Sequence, residues 1–144
     1  MSSVVSATTS KAYGSASRPS RRDAFLSSAD SLLLAAHEEV ERGQFDLAME
    51  SAYRAALRVA GAVCAGSAAV KKRKRLPTSA WDKLALTGAQ GQQWAARFRP
   101  FSRERGRVAS GIEASPDPVV VLDLLAAAEE FYFWAHPSFA PLAA

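Results

Sequence analysis

Residues 23–64 read DAFLSSADSLLLAAHEEVERGQFDLAMESAYRAALRVAGAVC, and this stretch decides the fold class. Leu26, Ala29, Leu33, Ala36 and Val40 recur at alternating spacings of three and four, with Glu38, Glu39, Glu41 and Arg42 on other faces, which is the pattern of an amphipathic helix. Gly43 supplies its stop. A second apolar stripe follows at once in Phe45, Met49, Ala52, Ala56, Val59 and Val63, with Asp46, Glu50, Arg54 and Arg58 off it. Two helices so closely joined predict an antiparallel helical hairpin.

Beyond the hairpin the chain passes through Ala65-Gly66-Ser67 to Lys71-Lys72-Arg73-Lys74-Arg75, five adjacent cations whose mutual repulsion favours an extended, solvated loop. Leu76-Pro77 ends the loop, Thr78 or Ser79 can cap a new N-terminus, and residues 80–86 read as a short helix broken by Thr87-Gly88. A second piece, from about Ala89 to Phe98, carries Trp94, Ala95 and Phe98 on one face and is expected to stop at Pro100. Residues 99–118, with five arginines clustered between positions 97 and 107, read as irregular. Asp117 as N-cap and Pro118 at the first helical position then open a last helix through Val121, Leu122, Leu125, Ala128, Glu129 and Tyr132. Thirty alanines favour helix over sheet throughout, although Val119-Val120-Val121 alone would suit a strand.

These elements predict an all-α chain, an up-and-down antiparallel four-helix bundle with a broken third helix. Residues 1–22, rich in Ser, Thr and Ala with four basic residues and no acid, read as a disordered basic tail; residues 23–137 form the single domain and 138–144 a short C-terminal tail. At 144 residues a single domain is expected, without a second, cofactor-binding module beside it. One cysteine and two histidines cannot supply a structural zinc site or an internal disulfide, so no metal and no cofactor are expected. No run approaches the roughly 20 apolar residues that span a bilayer, and a cytoplasmic, membrane-free setting is expected.

The net charge of +4 conceals a strong partition. Residues 23–66 carry three bases against seven acids, residues 67–111 eleven bases against two acids, and residues 112–144 five acids and no base. The basic middle third therefore holds the candidate nucleic-acid-binding residues, Lys71, Lys72, Arg73, Lys74 and Arg75 together with Arg103, Arg105 and Arg107. Clustered cations track a phosphate backbone and release counterions on binding, and the planar guanidinium fork suits phosphate. The alternatives are a solvated connector or a nuclear import signal for the first cluster, and ion pairs with acids such as Glu113 or Asp117 for the second. Trp81, Trp94 and Trp134 sit beside small apolar residues and read as core, as does Cys64. An exposed face at Phe131, Tyr132 and Phe133 would indicate a subunit interface.

The order of these pieces, with Leu76-Pro77-Thr78-Ser79-Ala80-Trp81, then Trp94-Ala95-Ala96-Arg97-Phe98, then Leu124-Leu125-Ala126-Ala127-Ala128-Glu129-Glu130-Phe131, resembles a small actinobacterial family of HEPN-type domains over residues 24–136. The resemblance implies a four-helix bundle, often a homodimer, in a superfamily associated with RNA cleavage, RNA processing and toxin–antitoxin or nucleotidyltransferase partnerships. Its ribonucleases pair an Arg with a His, with four to six residues between them. Here the positions that would serve His37 are Asp30, Ser31 and Leu32, and those that would serve His136 are Glu129, Glu130 and Phe131, so no catalytic residue carries over. The expected function is a non-catalytic HEPN-type domain binding RNA or another polyanion. The alternatives are a homodimeric or toxin–antitoxin-type protein-interaction module and, last, a ribonuclease with a non-standard site.

Overall fold

The computed structural model describes residues 20–136. Over these the chain is all-helical: α1 (Arg21–Glu41), α2 (Phe45–Ala65), α3 (Ala68–Lys71), α4 (Ala80–Ala85), α5 (Ala89–Ala109) and α6 (Pro118–Ala135). Of the expected tails at residues 1–22 and 138–144, residues 1–19 and all of 138–144 lie outside the described residues, as does residue 137.

Helix α1 starts two residues before the expected boundary, because the Ser20 hydroxyl accepts the Asp23 amide at 3.0 Å and Asp23 places its charge in the first turn. Its end is a Schellman turn. Gln44 N–H donates to Glu39 O and Gly43 N–H to Val40 O, with Gly43 at φ +73°, where a side chain would be strained. The chain thus reverses in three residues and lays α2 along α1.

Helix α2 is the element every other helix touches. Its buried residues are mostly alanine (Ala48, Ala52, Ala55, Ala56, Ala60 and Ala62), so backbones approach closely, while Met49, Tyr53 and Val59 fill the remaining volume. From α1 it receives Leu26, Ala29, Leu33 and Ala36, and from α6 a face including Val121, Leu124, Ala128 and Phe131. The three valines at 119–121 are helical, Asp117 Oδ1 accepting the Val119 amide at 2.9 Å and Pro118 opening the helix.

Two expectations are corrected beyond the hairpin. Residues 68–71 form one helical turn, capped by Ser67 and pinned by buried Val70, so only Lys72–Ser79 runs as irregular chain. The second correction concerns Pro100, which does not end the third helical segment: α5 runs through it to Ala109, so residues 99–109, read as irregular, are helical. A proline inside a helix costs about 3 kcal/mol through a lost hydrogen bond and a clash with the preceding turn. Contacts on its far side offset that cost. Phe101 and Val108 pack on the core, and Arg105 forks onto Glu50 at 2.8 and 2.9 Å while lying 5.5 Å from the Tyr53 ring centroid.

The break between α4 and α5 stands as expected. Thr87 Oγ1 donates to Leu84 O at 2.7 Å, and Gly88 takes φ +137°. Buried Gly91 then lets α5 start against α4, since a Cβ there would fall 2.3 Å from Leu84 O. The turn seats an aromatic slab in which Trp81 stacks on Phe98 at 5.0 Å, Trp94 on Phe131 at 4.8 Å, and Phe131 on Trp134 at 5.9 Å. The tryptophans are core or core-edge residues, as their neighbours in sequence suggested.

Trp81 Nε1 donates to Tyr53 Oη at 3.0 Å, and both side chains are buried. Tyr53→Phe keeps the ring and strands the indole N–H, so it should cost about 1–3 kcal/mol. The check is urea denaturation followed by circular dichroism, with an unchanged m-value expected.

Candidate functional site

The Lys71–Arg75 cluster lies where α3 gives way to the irregular segment, between Val70, which is buried, and Ser79, whose hydroxyl accepts the Asp82 amide to start α4. Both ends of the loop are thereby anchored. All five cations are exposed, and among the described residues none of them pairs with a carboxylate; Arg73 Nε donates to Arg75 O at 3.3 Å within the loop itself.

The loop roofs a cavity of about 670 Å³ whose other walls are the first turns of α1, the second half of α2 and the start of α4. The apolar part of its lining, its floor, is Phe25, Leu57, Ala60 and Val70 with Leu76 from the loop itself and the Cys64 thiol among them, and the Ser20 and Thr78 hydroxyls also line it. Its rim carries Arg21, Arg22, Lys71, Arg73 and Lys83, and no Asp or Glu lines it. Arg22 donates to the Ala135 carbonyl, tying the start of α1 to the end of α6, and Arg21 lies over the Phe25 ring, 5.6 Å from its centroid. Burial pushes the Cys64 thiol above its ordinary range, and the nearby Lys83 ammonium works in the opposite direction.

The α5 arginines are in a different state. Arg97 forks onto Glu130 at 3.0 and 3.1 Å, Arg99 meets Asp82 at 2.7 Å, Arg105 holds Glu50, and Arg107 reaches Glu113 at 2.9 Å. The Arg105 hydrogen bonds hold the Glu50 carboxyl below its usual range against the opposing effect of partial burial, and the Arg97 fork does the same for Glu130. Ion pairing with neighbouring acids, the alternative to phosphate binding for this stretch, holds for Arg97, Arg99, Arg105 and Arg107. Arg103 is exposed and makes no ion pair among the described residues, but none of Arg103, Arg105 and Arg107 lines the cavity.

The structure thus brings Lys71 and Arg73 together with Arg21, Arg22 and Lys83, which the sequence placed in a tail or on separate helices. Ser20-Arg21-Arg22-Asp23 has a serine followed three residues later by an acid, a helix-start signal that assigns both arginines to α1. Lys83 and Cys64 had no comparable signal. Elsewhere, His37 Nε2 lies 2.6 Å from Glu129 Oε2 on the surface, and the described residues hold no group of three or more His, Cys, Asp or Glu side chains placed to bind a metal. No helix among the described residues is long and apolar enough to cross a membrane.

The described residues are all-helical, and comparison with family models identifies the class as HEPN. The model of a SAV_6107-like HEPN family matches residues 35–134, more than half of the chain, and the protein belongs to that family. Comparisons with curated proteins and with solved structures found no match.

Cys64 is the single cysteine of the chain, so its reactivity can be read without interference. Its alkylation by iodoacetamide should be several-fold slower at pH 7 than that of a cysteine in an unstructured peptide, with the rate inflecting at higher pH. Lys83→Gln should move the inflection further up. A wild-type rate equal to the peptide's at every pH would contradict the burial of the thiol.

Proposed function

We propose that this HEPN-type domain is a non-catalytic RNA-binding module, an up-and-down bundle that engages the phosphate backbone through Lys71, Lys72, Arg73, Lys74 and Arg75. The observation that carries the reading is the contrast between two basic stretches. Four of the five arginines on α5 are neutralised by carboxylates, whereas the loop's five cations are exposed and have no carboxylate partner among the described residues. Unpaired cations gain from phosphate without first breaking an ion pair. Arg21 and Lys83 lie beside the loop and extend its positive field, and Arg103 adds a further exposed cation on α5. The missing Arg and His spacing of the superfamily's ribonucleases supports a binding role over a cleaving one.

Affinity for single-stranded RNA should fall linearly with salt on a log–log plot. Replacing all five loop cations by glutamine should flatten that slope by about 2–4, while Arg105→Gln with Arg107→Gln should leave it nearly unchanged. Fluorescence anisotropy on a labelled oligonucleotide measures both, and a gel of the same mixtures should show the RNA intact. Equal affinity of wild type and the five-fold variant at low salt would defeat the reading.

A second reading rests on a different surface. Val119, Leu122 and Phe133 on α6, with Leu34 on neighbouring α1, are each 47–63% exposed, although Phe131 and Tyr132 beside them are buried. An apolar stripe of this kind suits a second copy of the chain. Sedimentation velocity should then show a dimer that Leu122→Glu converts to monomer, and a monomeric wild type at high concentration would sink this second reading.

A further inference from the structure

We infer that the cavity beneath the Lys71–Arg75 loop is a binding site for a small amphiphilic anion, a medium-chain carboxylate or a ligand of like chemistry, with its charged head on the cationic rim and its apolar body on the floor. The inference goes beyond RNA binding, because the floor has no use in gripping a phosphate backbone.

Three observations carry it. The volume of about 670 Å³ falls within the range of roughly 300–1,000 Å³ typical of small-molecule sites. The rim offers five cations and no carboxylate, so the favoured occupant is an anion. The apolar lining of Phe25, Leu57, Ala60, Val70 and Leu76 outweighs the Ser20 and Thr78 hydroxyls and the Cys64 thiol that share the cavity, so most of what it gains from an occupant it gains by burying apolar surface. A nucleobase would leave its polar edge unread there, whereas an alkyl chain has no polar edge to satisfy.

Gly61 keeps this space open. It lies inside α2, where glycine is about 1 kcal/mol worse than alanine, and a Cβ there would fall 2.8 Å from the Phe25 ring. The glycine lets the ring settle against α2. Alanine would drive the ring away from the helix and alter the floor while leaving every rim cation in place.

The probe is anilinonaphthalene sulfonate, an aromatic body with one anionic head, whose fluorescence rises in apolar surroundings. It should bind the folded full-length protein saturably, at one site, and be displaced by decanoate below its micellar concentration. Each added methylene should strengthen competition about 3–4-fold, so decanoate should exceed octanoate by about tenfold. Inorganic phosphate and adenosine monophosphate should compete weakly and without such a trend.

Gly61→Ala should weaken dye and decanoate binding about tenfold and leave the RNA salt slope unchanged, whereas Lys71→Gln, Arg73→Gln and Lys83→Gln combined should weaken dye, decanoate and RNA alike. Decanoate should also slow alkylation of Cys64 in the wild type, a readout that needs no variant. The inference is overturned if dye binding does not saturate, if chain length has no effect, if the monophosphate displaces the dye better than decanoate does, or if decanoate leaves Cys64 alkylation unchanged. None of these outcomes bears on whether the loop binds RNA, and loss of RNA binding alone would leave the cavity's occupant standing.

Discussion

The close approach of helices around α2 is the constraint on which the rest of the structure depends. Its buried face is built largely from alanine, so α1 and α6 can pack against its backbone, and any larger residue at Ala52 or Ala56 would force them apart. Alanine loses no side-chain entropy on folding, but it also buries little area. The missing area comes from Tyr53 beside that seam, which meets Trp81 at the edge of the slab formed with Phe98, Trp94, Phe131 and Trp134. A tight seam and a bulky aromatic layer thus meet along one helix, and the Tyr53–Trp81 hydrogen bond satisfies the slab's buried indole.

The same helix organises the charge. Glu50 on α2, Asp82 on α4 and Glu130 on α6 each take an arginine from α5, so α5 is held in place by ion pairs spread over three neighbours. Exposed pairs of this kind contribute little individually. Their effect on function is larger, since they remove most of α5's positive charge from the surface and leave the 71–75 loop as the main unpaired basic feature beside the first turn of α1. A chain whose net charge is only +4 therefore presents one concentrated basic edge.

Membership of the HEPN family covers residues 35–134, which includes the loop, Cys64 and Lys83 but not Arg21, Arg22 or Phe25. The cavity is completed by the first turns of α1, outside the matched span. Its apolar floor and cationic rim come from four helices and the segment between α3 and α4, and Gly61 makes room for the Phe25 ring among them.

By itself the sequence determined the elements whose signals are local. Apolar periodicity marked α1, α2 and α6; Gly43, Ser79, Thr87-Gly88 and Asp117-Pro118 marked where the chain turns or a helix begins; and the run of five cations marked a solvated loop. Each depends on residues within a few positions of one another, so the pattern is complete in one dimension. Pro100 shows where that logic ends. Local propensity stops a helix there, and the packing of Phe101 and Val108 on the core together with the Arg105 contact to Glu50, 55 positions away, carries α5 through it. For the same reason only the tertiary structure decided which cations are free and that Arg21, Lys71, Arg73 and Lys83 share one cavity: pairing and enclosure are properties of distance in space, which residue order does not contain.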